Sequence, residues 1–220
     1  MALLDLVLRR HCVNCGRVDW SLCPTCRRQL HDSVHCRWVP GSLTSTVSAA
    51  PYEGVVRSVV LAAKRSGQQT HVTALAYLAG LALRFLIEEL EPQTTLLVIP
   101  VRSGATTRRS AGRDLVSAVL RTAIHDARDP PLPVAVANVL EMRPVRANQK
   151  ELNRRERQLN MLDRFRVRPD ERLVGRPVVL FDDVTTSGAT LNAAAAAVRP
   201  SGALVCGAAV VAHRSSLNAG

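Results

Sequence analysis

Residues 178–190 read VVLFDDVTTSGAT: four apolar residues, two adjacent acids, then a turn built of hydroxyls and glycine. A short continuous apolar run bounded by turn signals reads as a strand buried on both faces, as in a parallel sheet. The glycine turn runs into TLNAAAAAV (190–198), an alanine-rich helix closed by Pro200 and Gly202. Asp182 and Asp183 therefore fall at the carboxyl end of a strand, just before a helix N-terminus. Backbone N–H groups and the positive helix end there suit a phosphate. Thr185, Thr186, Ser187 and Thr190 add hydroxyl donors around it. Ionised Asp182 and Asp183 only accept hydrogen bonds, so beside a phosphate they need hydroxyls or a cation to face. A ribose 5-phosphate meets both demands, with its phosphate in the turn and its 2′- and 3′-hydroxyls on the acids. The magnesium-binding strand of a P-loop NTPase has the same outline, but neither GxxxxGKS nor GxxxxGKT occurs in the chain. In a third reading the acids only cap the following helix.

Outward from this stretch, helix and strand signals alternate. VVRSVVLAAKR (55–65) and VTALAYLAGLALRFLIEEL (72–90) carry apolar residues at helical spacing, with Pro92 ending the second. LLVIPV (96–101) reads as a buried strand, SAGRDLVSAVLRTAIHDA (110–127) as a helix and VAVANVLEM (134–142) as a strand. LVCGAAVVAH (204–213) reads as the last strand, with Cys206 a core residue. This order predicts an α/β fold, a parallel sheet with helices on both faces, whose sites lie beyond the carboxyl ends of the strands. Residues 39–50, VPGSLTSTVSAA, are small and uncharged, as a linker or an extended strand leading into the domain would be.

With 220 residues, 47% apolar and 21% charged, the chain can bury one main core plus a small appendage. Lys and Arg outnumber Asp and Glu by 29 to 18, and the net charge of +11 favours phosphate-bearing partners. No segment approaches the roughly 20 apolar residues that cross a bilayer, because the best stretch, ALAYLAGLAL (74–83), stops at Arg84. The N-terminal LLDLVL is followed by Arg9 and Arg10, the reverse of a secretory signal. A cytoplasmic protein without a membrane span is expected.

Five of the six cysteines fall between residues 12 and 36, as CVNC (12–15), seven residues, CPTC (23–26), then Cys36. In a reducing cytosol two such knuckles can bring four thiolates tetrahedrally around one zinc, so Cys12, Cys15, Cys23 and Cys26 are the candidate structural metal ligands. A unit of roughly 40 residues with few large apolar side chains gains its missing folding energy from such a metal. Unmetallated thiols and redox pairs are the competing readings. His11, His31, His35 and Cys36 could substitute as ligands, but none has a matching partner.

The opening stretch closely resembles the phosphoribosyl pyrophosphate (PRPP) signature of type I phosphoribosyltransferases, matching at VVLF, DD and VTTSGAT and so including Val184, Gly188 and Ala189. Most of the remaining chain resembles the ComF/GntX competence-associated family, in which a cysteine-knuckle module precedes a phosphoribosyltransferase domain. The resemblance implies a zinc-binding module and linker over 1–47 and a phosphoribosyltransferase-like domain over 48–220. The family's Tyr-x-Gly segment and Lys-containing helix correspond to PYEGVVRSVVLAAKRSG (51–67), with Lys64 at the Lys. The proline-bearing pyrophosphate loop corresponds to IPVR (99–102), with Pro100, Val101 and Arg102 as implied PRPP contacts. A further block appears in QKELNRRERQLNMLDRF (149–165), matching at Gln149, Leu152, Arg157, Asn160 and Phe165. Two departures stand out. Ala111 occupies the place of an Arg in relatives, leaving Arg109 or Arg113 to make that pyrophosphate contact, and CRWV (36–39) keeps only the first cysteine of a third CxxC.

The resemblance implies a Mg²⁺-dependent transferase. A nitrogen nucleophile displaces pyrophosphate from C1 of the ribose through an oxocarbenium-like state, with Asp182, Asp183 and Arg157 as the catalytic set. The Arg-rich segment 143–176 corresponds to a loop that closes over PRPP, where Gln149, Lys150, Arg154, Arg155 and Arg157 would cover the pyrophosphate. An exposed basic helix with Glu–Arg pairs is the plainer reading of that segment. The acceptor pocket is expected from 52–90 and HRSS (213–216). The alternative function is that of a DNA-uptake accessory, with single-stranded DNA and competence-machinery proteins as partners. Only 3% aromatic residues argue against a strong base-stacking platform.

Overall fold

The structure, a computed structural model, describes residues 10–40, 44–101, 114–127, 132–143, 164–169 and 172–215. Its centre is a six-stranded sheet in the order β1-β2-β8-β7-β3-β4. These strands are β1 (Arg37–Trp38), β2 (Thr46–Pro51), β3 (Leu96–Pro100), β4 (Val134–Val136), β7 (Pro177–Thr185) and β8 (Leu204–His213). Only β1 runs antiparallel to its neighbour; every other pairing is parallel. A separate antiparallel pair joins β5 (Leu140–Met142) to β6 (Phe165–Val167).

Strand β7 lies at the heart of the sheet, and its apolar run divides by alternation between two cores. Val179 and Phe181 join the core beneath helices α2 (Gly54–Ser66), α3 (Gln69–Leu90) and α4 (Leu115–Asp126). Val178 and Leu180 join the core on the other face, under α5 (Ala189–Val198). All four are at most 1% exposed, each contributing about 1.5–3 kcal/mol of burial for the larger side chains. Ala193, Ala194 and Ala195 let the α5 backbone lie close to the sheet. On the opposite face α3 packs on β2 and β8, and Gly207 makes room for it: a Cβ there would meet the Ser45 carbonyl oxygen at 3.0 Å and Leu86 at 3.3 Å.

The expected α/β class with a mostly parallel sheet is the observed one, and several details differ from the sequence reading. Of the two readings of 39–50, the extended strand is the one formed, since Thr46–Pro51 make β2, buried between β1 and β8. The expected 1–47/48–220 division falls inside that strand. Residues 134–142 break into two strands in different sheets, because Ala137 still donates to Val98 while Leu140 pairs with Val167. Helix α4 begins at Leu115, where the Asp114 carboxylate accepts from the Ser117 N–H at 3.2 Å as its N-cap; 110–113 lie outside the described residues. Cys206, expected in the core, is only partly buried at the amino end of β8. Helix α3, with a mean hydropathy of 1.5 over its best 18-residue window, is long and apolar enough to cross a membrane by length and composition alone. Its residues Leu75, Leu78, Ala79, Ala82, Leu83 and Leu86 are instead fully buried in the core.

Candidate functional site

Chain direction across the sheet reverses between β3 and β7. From β3 the chain proceeds outward to β4, and from β7 through α5 to β8 on the opposite side. The crevice beyond the carboxyl ends of two such strands is where open α/β sheets bind ligands. Pro100 closes β3 and Val101, fully buried, donates its N–H to the Phe181 carbonyl at 2.7 Å. That bond seats the expected pyrophosphate-loop residues directly beside the acidic pair. Arg102 itself lies outside the described residues, as do Gln149, Lys150, Arg154, Arg155 and Arg157.

Asp182 and Asp183 are both 4% exposed. Lys64, on the last turn of α2, donates to Asp183 Oδ1 at 3.0 Å and Oδ2 at 2.8 Å. Asp182 Oδ1 accepts the Asp183 backbone N–H at 2.8 Å. Burial, reinforced by the neighbouring Asp183 charge, pushes the Asp182 carboxyl well above its ordinary range, opposed by that backbone bond and by the charges of Lys64 and Arg164. One carboxylate held by an ammonium and its desolvated neighbour concentrate acceptor capacity at the carboxyl end of β7.

The turn after them is open. Thr185 is buried while Thr186 and Ser187 are exposed, and Gly188 caps α5 at φ 72°, a left-handed conformation that disfavours any side chain. Among the described residues no side chain caps this helix, which leaves the first-turn N–H groups of Ala189 and Thr190 without an intrahelical partner. Val184 is half-buried beneath the turn.

Two further residues stand close to this site. His213, 7% exposed, pairs in register with Thr185, and Arg214 donates its N–H to the Thr185 carbonyl at 2.9 Å. Burial, with the nearby Arg37 charge, lowers the His213 imidazole below its ordinary range, against a hydrogen bond to the Thr186 backbone. The sequence marks His213 only as part of a prospective acceptor pocket. Arg164, whose charge acts on Asp182, sits in the basic segment with no motif to single it out.

The four expected metal ligands do converge. Cys12, Cys15, Cys23 and Cys26 place all their sulfurs within 4.8 Å of one another, and Cys15 and Cys23 are 3.6 Å apart. A tetrahedral zinc with Zn–S bonds of about 2.3 Å asks for S–S separations of about 3.8 Å, so the donor set fits this metal. Cys23 is the N-cap of α1 (Pro24–Asp32), with Pro24 at its first position, and donates its N–H to Cys12 Sγ at 3.4 Å. Asn14 Nδ2 donates to Cys26 Sγ at 3.4 Å and its Oδ1 accepts from Ser58 on α2. Burial raises Cys12, but the backbone donors around it prevail and bring it down to about 6, whereas burial pushes Cys26 up to about 12. Cys12, Leu22, Cys23, Cys26 and Leu30 share one continuous core with α2 and α3. His35 and Val39 tie the module to the sheet by donating to Ala49 and Thr46.

No family model matches the chain, and no curated protein matches it. Solved structures similar to it include adenine phosphoribosyltransferase from Leishmania donovani, at 15% identity over 86% of this chain and 78% of that one, with a TM-score of 0.34. The enzyme from Leishmania tarentolae is similar at 14% identity over 81% and 79%, with a TM-score of 0.33.

Proposed function

We propose that the chain binds PRPP or ribose 5-phosphate at the β3–β7 crevice and transfers the phosphoribosyl group to a nitrogen acceptor. The observation that carries this reading is the buried Asp182–Asp183 pair, faced by Lys64 and followed by the uncapped N-terminus of α5. The 185–190 turn would hold the 5-phosphate, and the acids would accept from the ribose hydroxyls. As the C1–O bond to pyrophosphate breaks, the electron pair leaves with the pyrophosphate, and the acids stabilise the positive charge left on the sugar. The acceptor nitrogen's lone pair then forms the new bond to C1, and its proton passes to solvent. Lys64 keeps Asp183 oriented through this change. Mg²⁺ bound with PRPP would neutralise the leaving pyrophosphate. Both Asp183 oxygens already accept from Lys64, so Asp183 would act on the ribose hydroxyls rather than as a metal ligand. Roles for Arg102, Gln149 and Arg157 over the pyrophosphate belong to the same proposal. Calorimetry with PRPP and Mg²⁺ tests it: Asp182→Asn/Asp183→Asn should bind clearly more weakly, and unchanged affinity would locate the site elsewhere.

Binding of single-stranded DNA is the second reading. It is favoured by Trp20, Trp38 and Tyr77, each at least 40% exposed around the cysteine module. Replacing both tryptophans by alanine should weaken oligonucleotide binding, with fluorescence anisotropy as the readout.

A further inference from the structure

The carboxyl end of β8 is held from both sides. Tyr52 donates its N–H to the His213 carbonyl at 2.9 Å from the β2 side, and Arg214 donates its N–H to the Thr185 carbonyl at 2.9 Å on the β7 side. His213 lies in register with Pro51 and with Thr185, and at 7% exposed it is buried there. Strand β7 ends at Thr185, so the exposed Thr186 has passed the end of the ladder. Strand pairing therefore no longer determines where the Thr186 carbonyl points.

The His213 ring supplies what the ladder does not. Its bond to the Thr186 backbone favours the protonated nitrogen, so the ring N–H donates and the Thr186 carbonyl accepts. Nδ1 is buried without a partner among the described residues, so Nε2 makes this bond and the neutral ring suffices for it. Arg37 on β1 is the charge that acts on the ring, and it opposes a second proton. A trans peptide points its N–H away from its C=O. With the Thr185 and Thr186 carbonyls both held toward the end of β8, the N–H groups of Thr186 and then Ser187 point away from it. Successive N–H groups released in this way are the donors an anion-binding turn offers. The Thr185 half of the arrangement comes from main chain alone, whereas the Thr186 half depends on the side chain at 213.

We infer that His213 is a positioning residue for the phosphate turn: through the Thr186 carbonyl it orients the Ser187 N–H for a 5-phosphate, without touching the ligand itself. The inference rests on the reading of the crevice as the PRPP site. Leucine at this position fills the space with no donor, whereas glutamine carries an amide N–H to replace that of Nε2.

Calorimetry on the zinc-loaded full chain, with ribose 5-phosphate and separately with Mg²⁺-pyrophosphate, tests the role. His213→Leu should weaken ribose 5-phosphate binding by about three- to tenfold, the range of one hydrogen bond lost. Pyrophosphate binding should be unchanged, because that ligand does not use the turn, and His213→Gln should recover most of the loss. Residual dipolar couplings measured without ligand read the N–H direction itself. The Ser187 coupling should change in His213→Leu and return in His213→Gln, while those of Val178–Phe181 stay as in the parent. Equal loss of both ligands, with couplings altered along the whole of β7, would show a general structural role and overturn the inference. Ribose 5-phosphate affinity unchanged in His213→Leu would overturn it alone, leaving the crevice as the binding site. A parent chain that does not bind ribose 5-phosphate overturns the reading of the crevice, and this inference with it.

Discussion

Lys64 and Asp183 stand 119 residues apart in the chain and meet in a two-pronged ion pair, with the carboxylate 6% exposed and the ammonium stem 33% exposed. The arrangement anchors the end of α2 to the carboxyl end of β7. Removing only the cation leaves a buried acid uncompensated. Lys64→Met should therefore destabilise the fold by about 2 kcal/mol, below the cost of a wholly buried pair because Lys64 keeps contact with water. Urea denaturation measures this, and Lys64→Met/Asp183→Asn should recover part of the loss.

Asp182 should behave in the opposite way. Its folded-state pKa is raised, so it favours the fold below the unfolded carboxyl pKa and opposes it increasingly as pH rises toward the folded value. Asp182→Asn keeps an oxygen for the Asp183 N–H and removes that opposition. The variant should be more stable than the parent at pH 7 and no more stable near pH 3, while losing affinity for PRPP. Thermal melts at the two pH values decide it.

Both buried histidines lie below their ordinary range, and burial is the leading cause for each. Their contribution is complete above the unfolded pKa of about 6.5 and is lost as pH falls through the folded values. Stability should decline as pH falls below about 6.5, and His71→Gln/His213→Gln should flatten that decline.

Elemental analysis should find about one zinc per chain, and Cys23→Ser should abolish it. Because the cysteine cluster shares its core with α2 and α3, chelation should lower the melting temperature of the whole described fold in a single transition. Two transitions, with only the lower one sensitive to chelator, would contradict that continuity.

Gly188→Ala places a side chain at φ 72°, with an expected cost of about 1 kcal/mol and distortion of the turn. PRPP affinity should fall more than stability does, as seen by calorimetry alongside melting.

The strands and helices that the periodicity exposes are those whose burial is continuous. The VVLF run of β7 and the alanines of α5 announce a two-sided core in their composition alone. Strand β2 is hard to read because its buried residues include Thr46 and Ser48, whose hydroxyls are satisfied locally by the carbonyls of Thr44 and Ala50. Arg37 and Trp38 form a strand only because β2 offers them a free edge. At the site, the acids and the turn are legible as chemistry. The pairing of Lys64 with Asp183 depends on a crossover that no local pattern encodes, and only the family resemblance marks that lysine. His213 gains its place from its register with Thr185, and Arg164 from the turn just before β6, where its carbonyl accepts the Arg143 N–H at 2.9 Å.

Helix α3 is made long before the strand that covers it. Its sheet-facing side rests on β2 and on β8, and β8 begins at Leu204, roughly a hundred residues after α3 ends at Leu90. At synthesis rates of about 5–20 residues per second the helix waits roughly 6–23 s for that strand. Throughout that interval the β8-facing side of a helix of bilayer-spanning length and hydropathy lacks its strand, and β2, α2 and then α4 are the partners already made.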